Sequence, residues 1–264
     1  MRSLPQPVPL LVGIHGWMLS RKVWSPFEQV WTTELQTSEP NSRDPDEGIP
    51  LWCPDLPGFG DRDRPVALPT TLPAYGRWLA EQALDRAGSR PIVLMGHSLG
   101  ASIALHAAET LEQQAGDQLL ALVMIAAGGG IYQPRPFQRL RRGGRLVVQW
   151  RPKLPLDFGP LQADERAAVG LLVNSTCRGA LRTIPNLVAN LRVANLWISG
   201  SRDRVMEPGY VRHLASYSPL HALITLEDCG HLPMWSHAPT LAKEIQNWLQ
   251  SLASPRSCSS ASSA

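Results

Sequence analysis

The amino-acid sequence predicts an α/β fold: a mostly parallel sheet of about six strands with helices on both faces. Three observations predict it. Short apolar runs bounded by turn residues alternate with amphipathic stretches, the pattern of buried parallel strands joined by crossover helices. The segment Gly96-His97-Ser98-Leu99-Gly100 lies between one such run and a small-residue helical stretch. After Gly128-Gly129-Gly130 the alternation stops for about sixty residues and then resumes, as it does around an insertion.

Taken in order, the first strand is Pro9 to Ile14, ending at His15-Gly16-Trp17, and a helix follows from about Trp24 to Leu35. A polar stretch, Thr37 to Gly48, reads as a solvated loop. Pro50 to Asp55 is the second strand, ending in Leu56-Pro57-Gly58-Phe59-Gly60. Between Pro73 and Ala87 the pattern is helical, with proline in the first turn and Gly88 past the end. Pro91 to Met95 is a strand that leads into the Ser98 segment and an Ala-rich helix to about Gln114. Leu119 to Ala127 is the next strand. The interruption holds a basic, proline-broken segment and a helical stretch from about Ala163 to Leu191. The rhythm then returns with a strand at Asn195 to Gly200, a helix at Tyr210 to Tyr217, a strand at Ala222 to Leu226 and a helix at Thr240 to Leu252.

This gives a core of residues 1–131 and 193–252, a helical cap of residues 132–192 inserted after the strand ending near Ala127, and a disordered Ser/Ala-rich tail, 253–264. In a sheet of this type ligands bind at the C-terminal strand ends, so the cap is expected over that edge.

Gly96-His97-Ser98-Leu99-Gly100 matches G-x-S-x-G in the strand-to-helix context that gives the motif meaning. A serine on so sharp a turn projects its hydroxyl above the sheet, and the flanking glycines leave room for the turn. A serine nucleophile needs a base, and the base an orienting acid, expected later in the chain as acid then histidine, each just after a strand. His231, in Asp228-Cys229-Gly230-His231, follows the last predicted strand and is the candidate base among seven histidines. Asp203 follows the preceding strand in the matching place, with Glu207 and Asp228 as fallback acids. Two backbone N–H groups are needed for an oxyanion, and Leu99 and Trp17 are the candidates, with the Trp17 indole as a pocket wall. His15 is read as shaping that loop in preference to direct catalysis, and as a substrate contact beside Trp17. His97 and His106 read as packing residues; His213, His221 and His237 read as solvent-exposed.

His15-Gly16-Trp17, Asp55 to Gly60, the Ser98 turn, Gly200-Ser201-Arg202-Asp203 and Gly230-His231 occur in the order found in α/β-hydrolases, and the chain resembles that family over residues 9 to 252. The resemblance implies a serine esterase, thioesterase or related acyl-transfer hydrolase in which Ser98 attacks a carbonyl, His231 moves protons and Asp203 fixes its tautomer. It gives Asp55 a structural turn role. Relatives that use an Asp nucleophile, the epoxide hydrolases and dehalogenases, are excluded by Ser98. Two departures stand out. The antiparallel hairpin that usually opens the fold has little room before the first strand, and Asp61-Arg62-Asp63-Arg64 replaces the small hydroxyl residue that often follows the Gly60 turn.

Seven cations and no acid lie between Arg135 and Lys153, and Arg135, Arg139 and Arg142 share one helical face. Such a run is ordinarily a solvated face. Above a hydrolase pocket, Arg139 and Arg142 would also suit an anionic substrate handle: a phosphopantetheine phosphate, an acidic carrier protein or an anionic lipid surface. The plan is similar to that of esterases that release a pimeloyl methyl ester from its acyl carrier protein. A non-catalytic binding protein on the same fold is the alternative of a different class; such proteins usually lack a triad member, and here all three positions are filled.

The 264 residues, 44% of them hydrophobic, suffice for one large domain, and 24 prolines with 21 glycines account for the many turns. A net charge of +3 argues against a nucleic-acid partner. Four scattered cysteines without metal-like spacing, no signal-peptide pattern and no run of ~18 apolar residues point to a cytoplasmic protein without a transmembrane segment. No cofactor, no metal and a monomeric state are expected.

Overall fold

In the computed structural model, residues 7–33, 48–128, 134–150 and 163–253 are described. Six strands form one sheet: β1 (Leu10–Ile14), β2 (Leu51–Trp52), β3 (Ile92–His97), β4 (Leu119–Ile125), β5 (Ala194–Gly200) and β6 (His221–Leu226). Their order is β2-β1-β3-β4-β5-β6, and every neighbouring pair is parallel. Alternation along each strand divides the core into two. Leu10, Val12, Ile14, Leu94 and Met124 face one layer, whereas Leu11, Val93, Met95 and Val123 face the other. Because both faces are covered, the central strands are apolar at nearly every position, which is why they read as runs in the sequence.

Helices α2 (Leu72–Ala87), α3 (Leu99–Gln114) and α7 (Pro208–Ala215) cover the first layer. Helices α1 (Ser25–Thr33) and α9 (Ala238–Ala253) cover the second. A 3₁₀ turn at Arg21–Trp24 precedes α1, so the predicted helix start at Trp24 falls at the end of that turn; the loop read at Thr37 to Gly48 lies almost wholly outside the described residues. Thr71 caps α2, its side chain accepting from the Ala74 N–H, and Gly88 closes it at φ 60°. The second strand is shorter than predicted. Only Leu51 and Trp52 pair, on the sheet edge, because Pro54 has no N–H to extend the ladder.

Between β4 and β5 run α4 (Pro134–Trp150), α5 (Glu165–Ser175) and α6 (Arg178–Ala189). Within the predicted proline-broken segment Pro134–Trp150 is helical, and Pro134 and Pro136 sit in the first turn, where a missing N–H costs nothing. The single helical stretch predicted from Ala163 to Leu191 is two helices, divided at Thr176-Cys177, with Cys177 capping the second. A short helix, α8 (Pro233–Ser236), was not foreseen. The cap boundary at 131–132, Arg151, Lys153 and the tail from Ser254 lie outside the described residues. Among the described residues, no helix is long and apolar enough to cross a membrane.

The insertion packs on the C-terminal edge of the sheet. Phe59 and Ala163 form an antiparallel bridge, Asp164 N–H donates to the Gly58 carbonyl at 2.7 Å, and Leu72 N–H donates to Asn174 Oδ1 at 2.8 Å. Asp55 serves the turn below it, accepting from Arg21 N–H at 2.6 Å and Asp61 N–H at 3.1 Å. These bonds tie the loops after β1 and β2 to the helices above them.

The tightest turn joins β3 to α3. Ser98 adopts φ 54°, ψ −115°, a conformation costly for a side-chain-bearing residue. Only glycine fits on either side. A Cβ on Gly96 would lie 2.5 Å from Ala101 Cα, and one on Gly100 would lie 2.5 Å from the Ile14 carbonyl oxygen. Relief of the strain at Ser98 makes Ser98→Gly more stable than Ser98→Ala by about 1 kcal/mol. Urea denaturation of the two variants measures this; equal stability would show that Ser98 stores no strain.

Candidate active site

From β1 the chain steps to β2 on one side and then crosses to β3 on the other, so the sheet order reverses at β1, and ligand crevices form at such switch points. His15-Gly16-Trp17 leaves the end of β1 there, and Ser98 leaves the end of β3 beside it. A Cβ on Gly16 would lie 3.3 Å from Ser98 Cβ, so the two loops touch. Leu99 opens α3, and its N–H has no acceptor within the helix.

His231 and Asp203 come from loops after β6 and β5. His231 Nδ1–H donates to Asp203 Oδ2 at 2.8 Å. The other carboxylate oxygen accepts from the Val205 and Met206 N–H groups at 2.8 and 2.9 Å. The Asp203 side chain is fully buried, whereas that of His231 is 21% exposed. Burial by itself would raise the Asp203 carboxyl, but the His231 hydrogen bond and charge, with the two backbone donors, hold it below the ordinary carboxylate value. With Nδ1 protonated against a buried carboxylate, His231 Nε2 is left as an acceptor. Glu207 and Asp228 stand elsewhere: Asp228 is exposed and pairs with Arg202 at 2.6 Å. Ser98, Asp203 and His231 thus gather at one end of the sheet, two of them already joined.

Trp17 is held by the insertion. Its indole Nε1–H donates to the Ala168 carbonyl of α5 at 2.8 Å, and a Cβ on Gly144 of α4 would lie 3.1 Å from its ring. His15 differs from a substrate contact. It is fully buried; Nε2 accepts from the Leu56 N–H at 3.0 Å and Nδ1–H donates to the Gly16 carbonyl at 2.9 Å. Both ring nitrogens are spent on backbone, so it braces the loop and presents no polar atom to a ligand. Burial lowers its pKa, opposed by the Gly16 carbonyl.

Arg135, Arg139, Arg142 and Arg145 lie exposed along α4, while Arg141 turns inward, its Nε–H donating to Thr176 Oγ1 at 2.7 Å. Leu140, Leu146 and Trp150 are exposed on the same helix. Of the remaining histidines, His213 and His221 are exposed as predicted, but His237 is half-buried, with Nδ1 2.8 Å from Ser236 Oγ. His97 is more than packing: it is fully buried and its Nε2–H donates to the His231 carbonyl at 2.8 Å. Sequence reasoning missed that bond because the partners are 134 residues apart.

A sequence model described as the alpha/beta hydrolase family matches residues 11–244. The chain belongs to the alpha/beta hydrolase family. Within it, the chain is similar to a pimeloyl-[acyl-carrier protein] methyl ester esterase of Xanthomonas oryzae pv. oryzae, at 28% identity over 92% of this chain and 96% of that protein. It is similar to the protein of the same name from Xanthomonas axonopodis pv. citri at 29% identity, with the same coverage. Among solved structures, a thermophilic esterase from Thermogutta terrifontis superposes with a TM-score of 0.71 at 19% identity, covering 93% of this chain and 91% of the other. That likeness shows the alpha/beta hydrolase fold.

Three buried histidines set a pH dependence of stability. Burial, followed by the His231 charge, lowers His97 to about 3, and burial, followed by Arg77, lowers His106 to about 4. His106 is therefore neutral beside Glu109 at neutral pH, and their 3.9 Å contact is no ion pair there. With His15 also lowered, the unfolded chain binds protons below about pH 6.5 that the fold excludes, so stability present above that value is lost as the pH falls toward these folded pKa values. The unfolding free energy is expected to fall between pH 7 and pH 4, and to fall less steeply in His106→Gln. A flat urea midpoint across that window would contradict the neutral burial of these rings.

Proposed function

We propose that the protein is a serine hydrolase of carboxylic esters, acting through an acyl-enzyme on Ser98. What carries this reading is the His231–Asp203 pair, with its carboxylate buried and fully hydrogen-bonded, on the same rim as a strained serine turn. Ser98 Oγ attacks the ester carbonyl as His231 Nε2 takes its proton, and Asp203 supports the imidazolium that forms. The tetrahedral oxyanion is received by the Leu99 and Trp17 N–H groups, aided by the N-terminus of α3. Collapse breaks the ester C–O bond, and the leaving alkoxide takes the proton from His231. Water, deprotonated by His231, then attacks the acyl-enzyme and frees the acid and Ser98.

The substrate we propose is an acyl ester linked to an acidic carrier protein. Residues 132–192 would act as its cap, with Arg139 and Arg142 on the exposed face of α4 meeting the carrier. The proteins named pimeloyl-[acyl-carrier protein] methyl ester esterases support this class, and the methyl ester of a carrier-linked acid is the specific form it suggests. The free thiols of Cys53, Cys177 and Cys229 suit a reducing compartment, and the cytoplasm is proposed.

A fluorophosphonate probe is expected to label the wild-type protein and not Ser98→Ala; labelling that survives the substitution, or never occurs, removes the serine-hydrolase reading. Charge reversal of Arg139 and Arg142 to Glu is expected to lower kcat/KM for a carrier-linked methyl ester by about tenfold, with a p-nitrophenyl ester almost unaffected. Equal losses on the two substrates would discard the carrier.

A further inference from the structure

Ser98 and His231 leave β3 and β6, strands with β4 and β5 between them. At ~4.8 Å per strand the sheet alone sets those two strands about 14 Å apart. The loop of His231 therefore leans inward. On the side of the acid it is tied by backbone: Arg202 N–H donates to the Cys229 carbonyl at 2.9 Å, and Asp228 N–H to Ser201 Oγ at 2.9 Å. The hydrogen bond that crosses to the strand of Ser98 comes from His97, whose Nε2–H reaches the His231 carbonyl at 2.8 Å. The two imidazole rings lie 4.8 Å apart between centroids, tilted by 57°.

We propose that His97 is a positioning residue for the base: its Nε2–H anchors the His231 backbone to the strand of Ser98 and so sets the His231 ring against both Asp203 and the serine. The inference rests on the serine-hydrolase reading for its kinetic consequence. One observation argues that the ring is kept for this bond. Donation from Nε2 leaves Nδ1 unprotonated, and that atom is buried with no partner among the described residues, facing Gly16. An unpaired buried acceptor costs about 1–3 kcal/mol, a cost an apolar side chain of similar size avoids. The ring is also held neutral, since burial and the neighbouring His231 lower its pKa to about 3, so it donates one proton throughout the neutral range and adds no charge beside the base.

The test compares His97→Phe, which keeps the volume and loses the donor, with His97→Gln, whose amide reaches the former Nε2 position, and His97→Asn, whose amide falls short of it. Turnover of a p-nitrophenyl ester and the His231 Nδ1–H resonance of ¹⁵N-histidine-labelled protein are recorded for each. His97→Phe is expected to lose about tenfold or more in kcat with KM within about twofold, and to lose the resonance through exchange broadening. His97→Gln is expected to restore both, to within about threefold in kcat. His97→Asn, which retains polarity, is expected to behave as the phenylalanine variant and decides the matter if that variant does not fold. Wild-type kcat and an unchanged resonance in His97→Phe or His97→Asn would overturn the proposal. The resonance reads the base directly, so it decides the role of His97 even if Ser98-dependent turnover is absent and the hydrolase reading fails.

Discussion

Everything at the C-terminal edge of the sheet depends on how closely α3 approaches the end of β1. The turn from β3 into α3 is sharp enough to force Ser98 to φ 54° and to bring the start of α3 within van der Waals range of the Ile14 and His15 carbonyls. No Cβ is tolerated at Gly96 or Gly100. A looser turn would let the helix drift outward, and the N–H of Leu99, the Ser98 side chain and the Gly16 loop would separate. The backbone strain is held in place by the buried sheet on either side of it. A rigid scaffold of this kind suits chemistry that relies on preorganised donors.

The second dependence runs through Trp17. Its loop is braced below by His15, which uses both ring nitrogens on backbone partners, and above by the helices inserted between β4 and β5. The indole bond to Ala168 and the close approach at Gly144 make the loop and the inserted helices one packed unit. A partner docking on the exposed arginines of α4 would therefore press on the helix that touches Trp17. Under the proposed function, substrate recognition on the cap and oxyanion stabilisation below it share this side chain.

Much of this was legible in the chain because it rests on local chemistry. The apolar runs mark strands covered on both faces, and Thr71, Pro73 and Gly88 mark the ends of α2 with residues whose backbone preferences act within one turn. Ser98, Asp203 and His231 were named as candidates by chain order and by their places after strands. What escaped was non-local. Pro54 shortens β2 only because β2 is an edge strand with one neighbour. The break between α5 and α6 depends on Cys177 and the packing around it, and no strong helix-stopping residue marks it in the sequence.

The histidines show where the division falls. Seven are equivalent by composition, and position after a strand was enough to single out His231. Sequence by itself determined the order of elements and the serine turn, and it named the candidate acid and base, because strand periodicity, glycine sterics and chain order are properties of short segments. The tertiary structure decided which ring nitrogens are free. His15 is closed off by Leu56 and Gly16, and His97 is bound to a carbonyl 134 residues away. A hydrogen bond is a matter of a few tenths of an ångström between groups that meet only after the sheet has assembled, and no spacing along the chain encodes that distance.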